Sequence, residues 1–518
     1  MIKRYFYIPS IADIFFMVVL VYLSFYGGQG LLFDCDTGYH IRIGDFIIHT
    51  LTIPKYDILS FIPSSLPWIN HEWLSEVIMS CIHGYFGLTG IVIFFAFIIA
   101  LTYSFFFNVM KSYQNNMLIS AFLMSLVIGT TSIHWFARPY IFSTFFIVIW
   151  YYLLDLYHYR GKNYLFLLPL IMFIWVNLHG GSIIIAFLLN GVYIFGNFAN
   201  LITAKKIDKV LWINKIIFLG VITIICLLIS LINPYGYHIL SLPFHLVSTT
   251  FIPDNIYEFL SPNFHESMPF TYLLFFMIII FSISKRSLNV IELSLIVLFT
   301  YMALHSRRFV PLFGIVAAPI ILRQADTLIS DSKGKVFEFL KVRSKNIAAI
   351  DNAARGHIWP IATFLFVVIL SLNGRIAYSF DSRLKPADAA EFLKSEKLTG
   401  NVFNEREFGD YIIYALWPQY KVFICAEVYS EERFKEYFDV VRIQPGWNEV
   451  LNKYKINWII HNTNSMLSIF LLEREDWKII YIDKVASIFV RNTPDNQYII
   501  NKYAYVEETA KNNMSITK

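Results

Sequence analysis

Charge is what this chain has least of. Only 15% of its 518 residues are Asp, Glu, Lys or Arg, where a soluble protein carries about 25%. With a hydrophobic content of 57%, that scarcity excludes an ordinary soluble globular protein. Cysteine is also rare: Cys35, Cys81, Cys226 and Cys425 show no CxxC and no zinc-type spacing. Long-period repeats and low-complexity tracts are missing. The segments 177–181 and 233–268 contain no Lys or Arg at all. The net charge of +5 is therefore read as loop charge that sets membrane topology, with no nucleic-acid partner implied.

What fills the first 373 positions is a succession of apolar runs. Spans are expected near 11–27, 88–109, 117–134, 140–157, 164–177, 182–200, 215–232, 269–284, 288–304, 310–322 and 358–373, about eleven transmembrane helices. The first has a basic start in Lys3 and Arg4 but no small-residue cleavage site, and reads as a retained span. With the N-terminus in the cytoplasm, Lys111, Arg160, Lys162, Lys205, Lys206, Lys209, Lys285, Arg286 and the segment 323–357 all fall inside, as the positive-inside rule demands. The segment 323–357 reads as a basic cytoplasmic linker. An odd number of spans sends the remainder of the chain outside. There the pattern changes: β-rich runs at 421–428, 456–462 and 477–483 alternate with helical patterns at 386–396 and 447–454. The expected architecture is an α-helical polytopic membrane domain, 1–373, followed by a small extracytoplasmic α/β domain, 374–518, whose last twenty residues fray.

The acids and histidines concentrate in one outer loop, residues 28–90. Asp34 and Asp36 directly follow the first span. Such a pair can hold a divalent cation (Mg or Mn), or one acid can take a proton from an acceptor hydroxyl, with Asp36 the preferred base. The plainer alternative is a helix cap at the start of GYHIRIGDFIIH. His40 lies one helical turn beyond Asp36, so the two can share a face. His71 and Glu72 adjoin Trp73, and the following Leu-Ser-Glu rules out HExxH. They are candidates for acid/base work or metal ligation, against a polar face on an interfacial helix.

Three arginines depart from the charge rule. Arg138 in HWFARPY and Arg307 and Arg308 in ALHSRRF lie on the side where cations are scarce. The guanidinium fork suits a phosphate or pyrophosphate. The alternatives are snorkelling to headgroups or pairing with Asp34 or Glu72. Asn177 and His179 lie in the glycine-rich turn WVNLHGGS, which a plain helix hairpin also explains. The segment 253–267 adds Glu258 and His265 with no separable signal.

Together the string DCDTGYHIRIGDFIIHTLTIPKYDILSF, the later PWINHEWLSEV, and the boxes ARPYIFS (137–143), NLHGG (177–181), SRRF (306–309) and NVFNEREFGDYIIYAL (401–416) resemble a bacterial branch of the GT-C superfamily of integral membrane glycosyltransferases. That branch has Trp where this chain has Tyr39 before His40. The resemblance covers nearly the whole chain. It implies a multi-pass protein of the bacterial inner (plasma) membrane that transfers a sugar from a polyprenyl-phosphate-linked donor to a lipid, glycan or protein acceptor, on the outer face, with inversion. It implies that Asp36, with Asp34, His71 and Glu72, carries the chemistry, with Asp34 and Asp36 as metal ligands if an ion takes part. It further implies that Arg138, Arg307 and Arg308 hold the donor phosphate, with His40, Asn177 and His179 also on the substrate. Two other classes stay open: a flippase or exporter of a lipid-linked sugar, and a non-catalytic polysaccharide assembly factor. Matching interrupted helices in two halves, which would favour transport, are not seen.

Overall fold

The computed structural model describes residues 5–62, 68–113, 116–242, 244, 251–427 and 430–515. An apolar helix stands at each of the eleven expected positions. In chain order the elements used below are α1 (Ile11–Phe25), α2 (Asp36–Thr50), α3 (Trp73–Tyr113), α4 (Met117–Thr131), α5 (Tyr140–Arg160), α6 (Leu168–His179), α7 (Ile184–Thr203), α8 (Lys209–Ser230), α9 (Pro269–Ile283), α10 (Val290–His305), α11 (Val310–Asp331), α12 (Lys335–Ala353) and α13 (Ile358–Leu372). Among the described residues, seven helices are long and apolar enough to cross a membrane. The other four, α1, α9, α10 and α13, are 15 or 16 residues long, about 23 Å of helix. The chain is a multi-pass membrane protein.

By packing it divides into two compact units. One comprises Met1–Leu31, Phe86–Ser248 and Pro253–Tyr378; the other comprises Leu32–Tyr85, Thr249–Ile252 and Ser379–Lys518. The division cuts α3 beside Gly87, whose φ of 62° breaks the helix. The first loop thus sorts with the C-terminal residues.

In the membrane unit, local sequence sets the helix starts. Ser10 and Asp13 form a reciprocal capping box on α1, and Asn289 and Glu292 form another on α10. Asn116 caps α4 by accepting from Ile119 N at 3.2 Å. A buried charge layer crosses four helices. Arg323 Nη2 meets Asp155 Oδ2 at 2.8 Å and its Nη1 meets Glu292 Oε1 at 3.2 Å. Arg286 adds a second cation on Glu292 at 2.9 Å, and Tyr193 donates to Asp155. Two cations face two acids, so α5, α7, α10 and α11 are tied by a neutral set, the arrangement that makes buried ions tolerable.

The segment 323–357 is largely helical: α11 continues through Arg323 to Asp331, and α12 takes up most of the remainder. The apolar run ends at 322, but its helix does not, because the acids on α5 and α10 neutralise the next side chain.

The second unit has a four-stranded sheet of β1 (Asn401–Asn404), β2 (Ile456–Asn462), β3 (Trp477–Ile482) and β4 (Ala486–Arg491), in the order β1-β2-β4-β3. β1 and β2 are parallel; the other pairings are antiparallel. Its helices include α14 (Ala387–Glu396), α15 (Arg406–Leu416), α16 (Glu431–Val441), α17 (Trp447–Lys453), α18 (Met466–Leu472), α19 (Gln497–Lys502) and α20 (Ala504–Ser515). The runs at 456–462 and 477–483 are strands as expected. The run 421–428 is not, and its last residue, Val428, lies outside the described residues. Val422 instead makes an isolated bridge to Ser60 of the first loop, accepting from Phe61 N and donating to Leu59 O at 3.1 Å. The tail expected to fray is helical in α20, where Val506 and Ala510 are buried.

The same unit clamps the first loop at several further points. Gly38 and Gly44 let α2 be approached on two sides: a Cβ on Gly38 would stand 2.7 Å from Tyr414 Cβ, and one on Gly44 2.1 Å from Glu76 O. Arg42 Nε donates to Tyr414 O at 2.7 Å. Glu427 accepts from Tyr39 Oη at 2.8 Å and from Trp68 Nε1 at 3.2 Å. Arg433 reaches Ser60 Oγ at 3.1 Å and Asp57 at 3.6 Å.

Candidate functional site

The side chains expected at a site gather chiefly in two groups, one in each unit. The first is acidic and lies in the loop unit. Asp36 is the first residue of α2, following Cys35, which makes no side-chain cap. A carboxylate in that first turn is favoured by the helix dipole. Asp34 and Asp36 are both half-buried.

One turn on, His40 is 1% exposed. Its Nδ1 lies 3.1 Å from Glu76 Oε1 and its Nε2 lies 3.7 Å from Glu72 Oε2. Asn70 Nδ2 donates to the other oxygen of Glu76 at 2.5 Å, and Asn70 Oδ1 accepts from Glu72 N at 3.3 Å. His71 Nε2 is 3.9 Å from Glu72 Oε1. Burial alone would push the His40 imidazolium down, but Glu72 and then Glu76 outweigh it and hold its pKa above the usual 6.5.

Glu76 is the member that sequence reasoning missed. Its one sequence trace is a spacing of four from Glu72, the residue just before α3.

His40, Glu72 and Glu76 offer one ligand atom each, all within 4.8 Å of one another. Two carboxylate oxygens and an imidazole nitrogen form a donor set that a divalent ion of the Mn type accepts. Neither Asp34 nor Asp36 belongs to that triad.

The second centre is cationic and lies in the membrane unit. Arg138 precedes α5, held by Pro139 at the helix start. Arg307 and Arg308 occupy the single turn between α10 and α11. Ser306 caps this turn, accepting from Arg308 N at 3.4 Å. The residues after Pro253 run beside it: Arg308 N and Ser306 Oγ donate to Glu258 O at 3.0 and 3.1 Å, and Arg307 N donates to Leu260 O at 2.9 Å.

This brings two of the three expected arginines together. Arg138 Nη1 lies 3.7 Å from Glu258 Oε2, and Arg308 Nη1 lies 3.4 Å from Glu258 Oε1. Arg138 stacks over Phe136 at 5.0 Å and Arg308 over Phe259 at 5.2 Å. Arg307 turns to Tyr257, bonding its hydroxyl and stacking 4.2 Å from its ring. Glu258 carried no sequence signal, since it lies in a polar connection with no period.

Asn177 and His179 are both buried at the end of α6. Asn177 Nδ2 donates to Phe173 O and Ile232 O at 2.9 and 3.1 Å. His179 Nδ1 meets Ser143 Oγ at 2.6 Å, the hydroxyl that also accepts from Trp175 Nε1 at 2.7 Å.

No protein-family model matches the chain, and no curated protein matches it in sequence. Solved structures do. The archaeal oligosaccharyltransferase AglB from Archaeoglobus fulgidus, solved with an inhibitory peptide and a dolichol-phosphate, aligns over 94% of this chain and 74% of its own, at 11% identity and a TM-score of 0.58. ArnT from Cupriavidus metallidurans bound to undecaprenyl phosphate aligns over 92% of this chain and 97% of its own, at 11% identity and a TM-score of 0.47. At such identity the first likeness speaks for the fold alone: the chain has a GT-C-like membrane fold with a small C-terminal α/β sheet domain.

Proposed function

We propose that this protein is a membrane glycosyltransferase that moves a sugar from a polyprenyl-phosphate-linked donor to an acceptor hydroxyl, with inversion at the anomeric carbon. The observation that carries the reading is the convergence of Arg138 and Arg308 on a single carboxylate, in a fold similar to that of a protein solved with a dolichol-phosphate. Two guanidinium groups sharing one anion suit a phosphate ester.

In this mechanism Arg138 and Arg308 bind the donor phosphate. Asp36, at the start of α2, takes the proton of the acceptor hydroxyl. The freed oxygen attacks the anomeric carbon as the bond from that carbon to the phosphate oxygen breaks. Polyprenyl phosphate leaves with the extra negative charge, which the two arginines stabilise more strongly than the charge of the donor. Arg307, Asn177 and His179 complete the substrate side. His71, Glu72 and Asp34 support the acid loop. If a divalent ion takes part, His40, Glu72 and Glu76, or the pair Asp34 and Asp36, would hold it, and it would supply Lewis-acid charge there. The reaction faces outward across a bacterial inner membrane, with the N-terminus in the cytoplasm and the acid loop and C-terminal residues outside. That assignment rests on the distribution of Lys and Arg.

Transport has one observation in its favour, the buried Arg323, Asp155 and Glu292 set, since intramembrane ions often mark a pathway. Its internal neutrality favours a structural tie. Proteoliposomes loaded with a labelled polyprenyl-phosphate sugar separate the readings. Transfer releases one polyprenyl phosphate for each sugar moved to acceptor. Movement of intact lipid-linked sugar across the bilayer with no polyprenyl phosphate released contradicts the transferase.

A further inference from the structure

Building on the phosphate role of Arg138 and Arg308, we propose that Glu258 is the internal counter-anion of that cradle, a carboxylate that holds the phosphate position until a lipid-linked phosphate displaces it. Each oxygen of Glu258 takes a different arginine: Oε2 faces Arg138 and Oε1 faces Arg308. A phosphate bridging the same two guanidinium groups would present its oxygens in the same way.

The pairing is loose. The distances of 3.7 and 3.4 Å exceed the roughly 2.7–2.9 Å of a well-formed charge-assisted bond. The side chains of Arg138, Glu258 and Arg308 are 23, 27 and 31% exposed, so an arriving headgroup can reach them. The backbone at Glu258 is fixed, because its carbonyl accepts from both Arg308 N and Ser306 Oγ. Only the side chain has to move.

The test is a titration of undecaprenyl phosphate, the lipid carried by one similar structure, into the full-length protein in phosphatidylcholine nanodiscs. Removing a partly exposed competing ion pair is expected to tighten binding by about fivefold in Glu258→Gln. Arg308→Ala is expected to weaken binding, and in the double variant the gain from Glu258→Gln disappears. Glu258→Ala gives the same gain if Tm is unchanged. If Glu258→Gln binds equally or more weakly while Arg308→Ala still weakens binding, Glu258 positions the arginines and the proposal is wrong. If Arg308→Ala has no effect, the phosphate reading of the site fails first, and this inference falls with it. Inorganic phosphate is the second arm: an equal gain for it would mark a free-phosphate site and overturn the lipid assignment.

Discussion

His40 and Glu76, 36 positions apart in the sequence, share a hydrogen bond of 3.1 Å from which solvent is excluded. The bond joins α2 to the first turns of α3 and folds the acid loop back on itself. Glu72 closes on the opposite ring nitrogen, so an imidazole gripped on both nitrogens by acids holds the loop together.

The pH dependence follows from that arrangement. Glu72 and Glu76 raise the His40 pKa above 6.5 in the folded chain. A group raised in this way contributes its full stability below its unfolded pKa and loses it as pH climbs through the folded value. The Tm of the purified protein is expected to fall as pH rises above about 6.5, and His40→Asn is expected to flatten that fall. A slope unchanged by His40→Asn would remove the imidazole from the account.

The Arg323 layer predicts stability, not activity, as its first readout. Arg323→Ala leaves Asp155 and Glu292 buried without their shared cation, a loss of about 3–5 kcal/mol. Thermal unfolding in detergent should show a large drop in Tm. A change within about 0.5 kcal/mol, the size expected of a surface substitution, would mean that the layer does not tie the helices.

Gly44 tests the close approach of α2 and α3. A methyl group there would lie 2.1 Å from the carbonyl oxygen of Glu76, so the helices must separate. Gly44→Ala is expected to cost about 1–3 kcal/mol. Gly30→Ala, where a Cβ meets nothing within 4 Å, is the matched control and should leave Tm unchanged.

The parts of the fold that were legible in the sequence are those set by solvent. Each expected span marks a helix because apolar runs must be helical in lipid. The strands at 456–462 and 477–482 were readable because both are largely buried runs rich in Ile and Trp. What the sequence hid depends on partners far along the chain. Arg323 looked like a loop cation until Asp155 and Glu292 neutralised it. The run at 421–428 has strand composition, yet Val422 pairs with Ser60 of the first loop. At the candidate site, Arg138 and Arg308 were found because cations are rare at those turns. Glu258 and Glu76 were not, since a single acid acquires its role only from the basic groups that fold beside it.

Transfer of sugar is the central claim, and its most direct test is a radiolabelled polyprenyl-phosphate sugar pool in membranes containing the native protein, Asp36→Asn or Arg308→Ala. The account predicts label on an acceptor with the native protein and a loss of about a hundredfold or more in each variant, the scale of a missing general base or charge stabiliser. Equal transfer by all three proteins would contradict it.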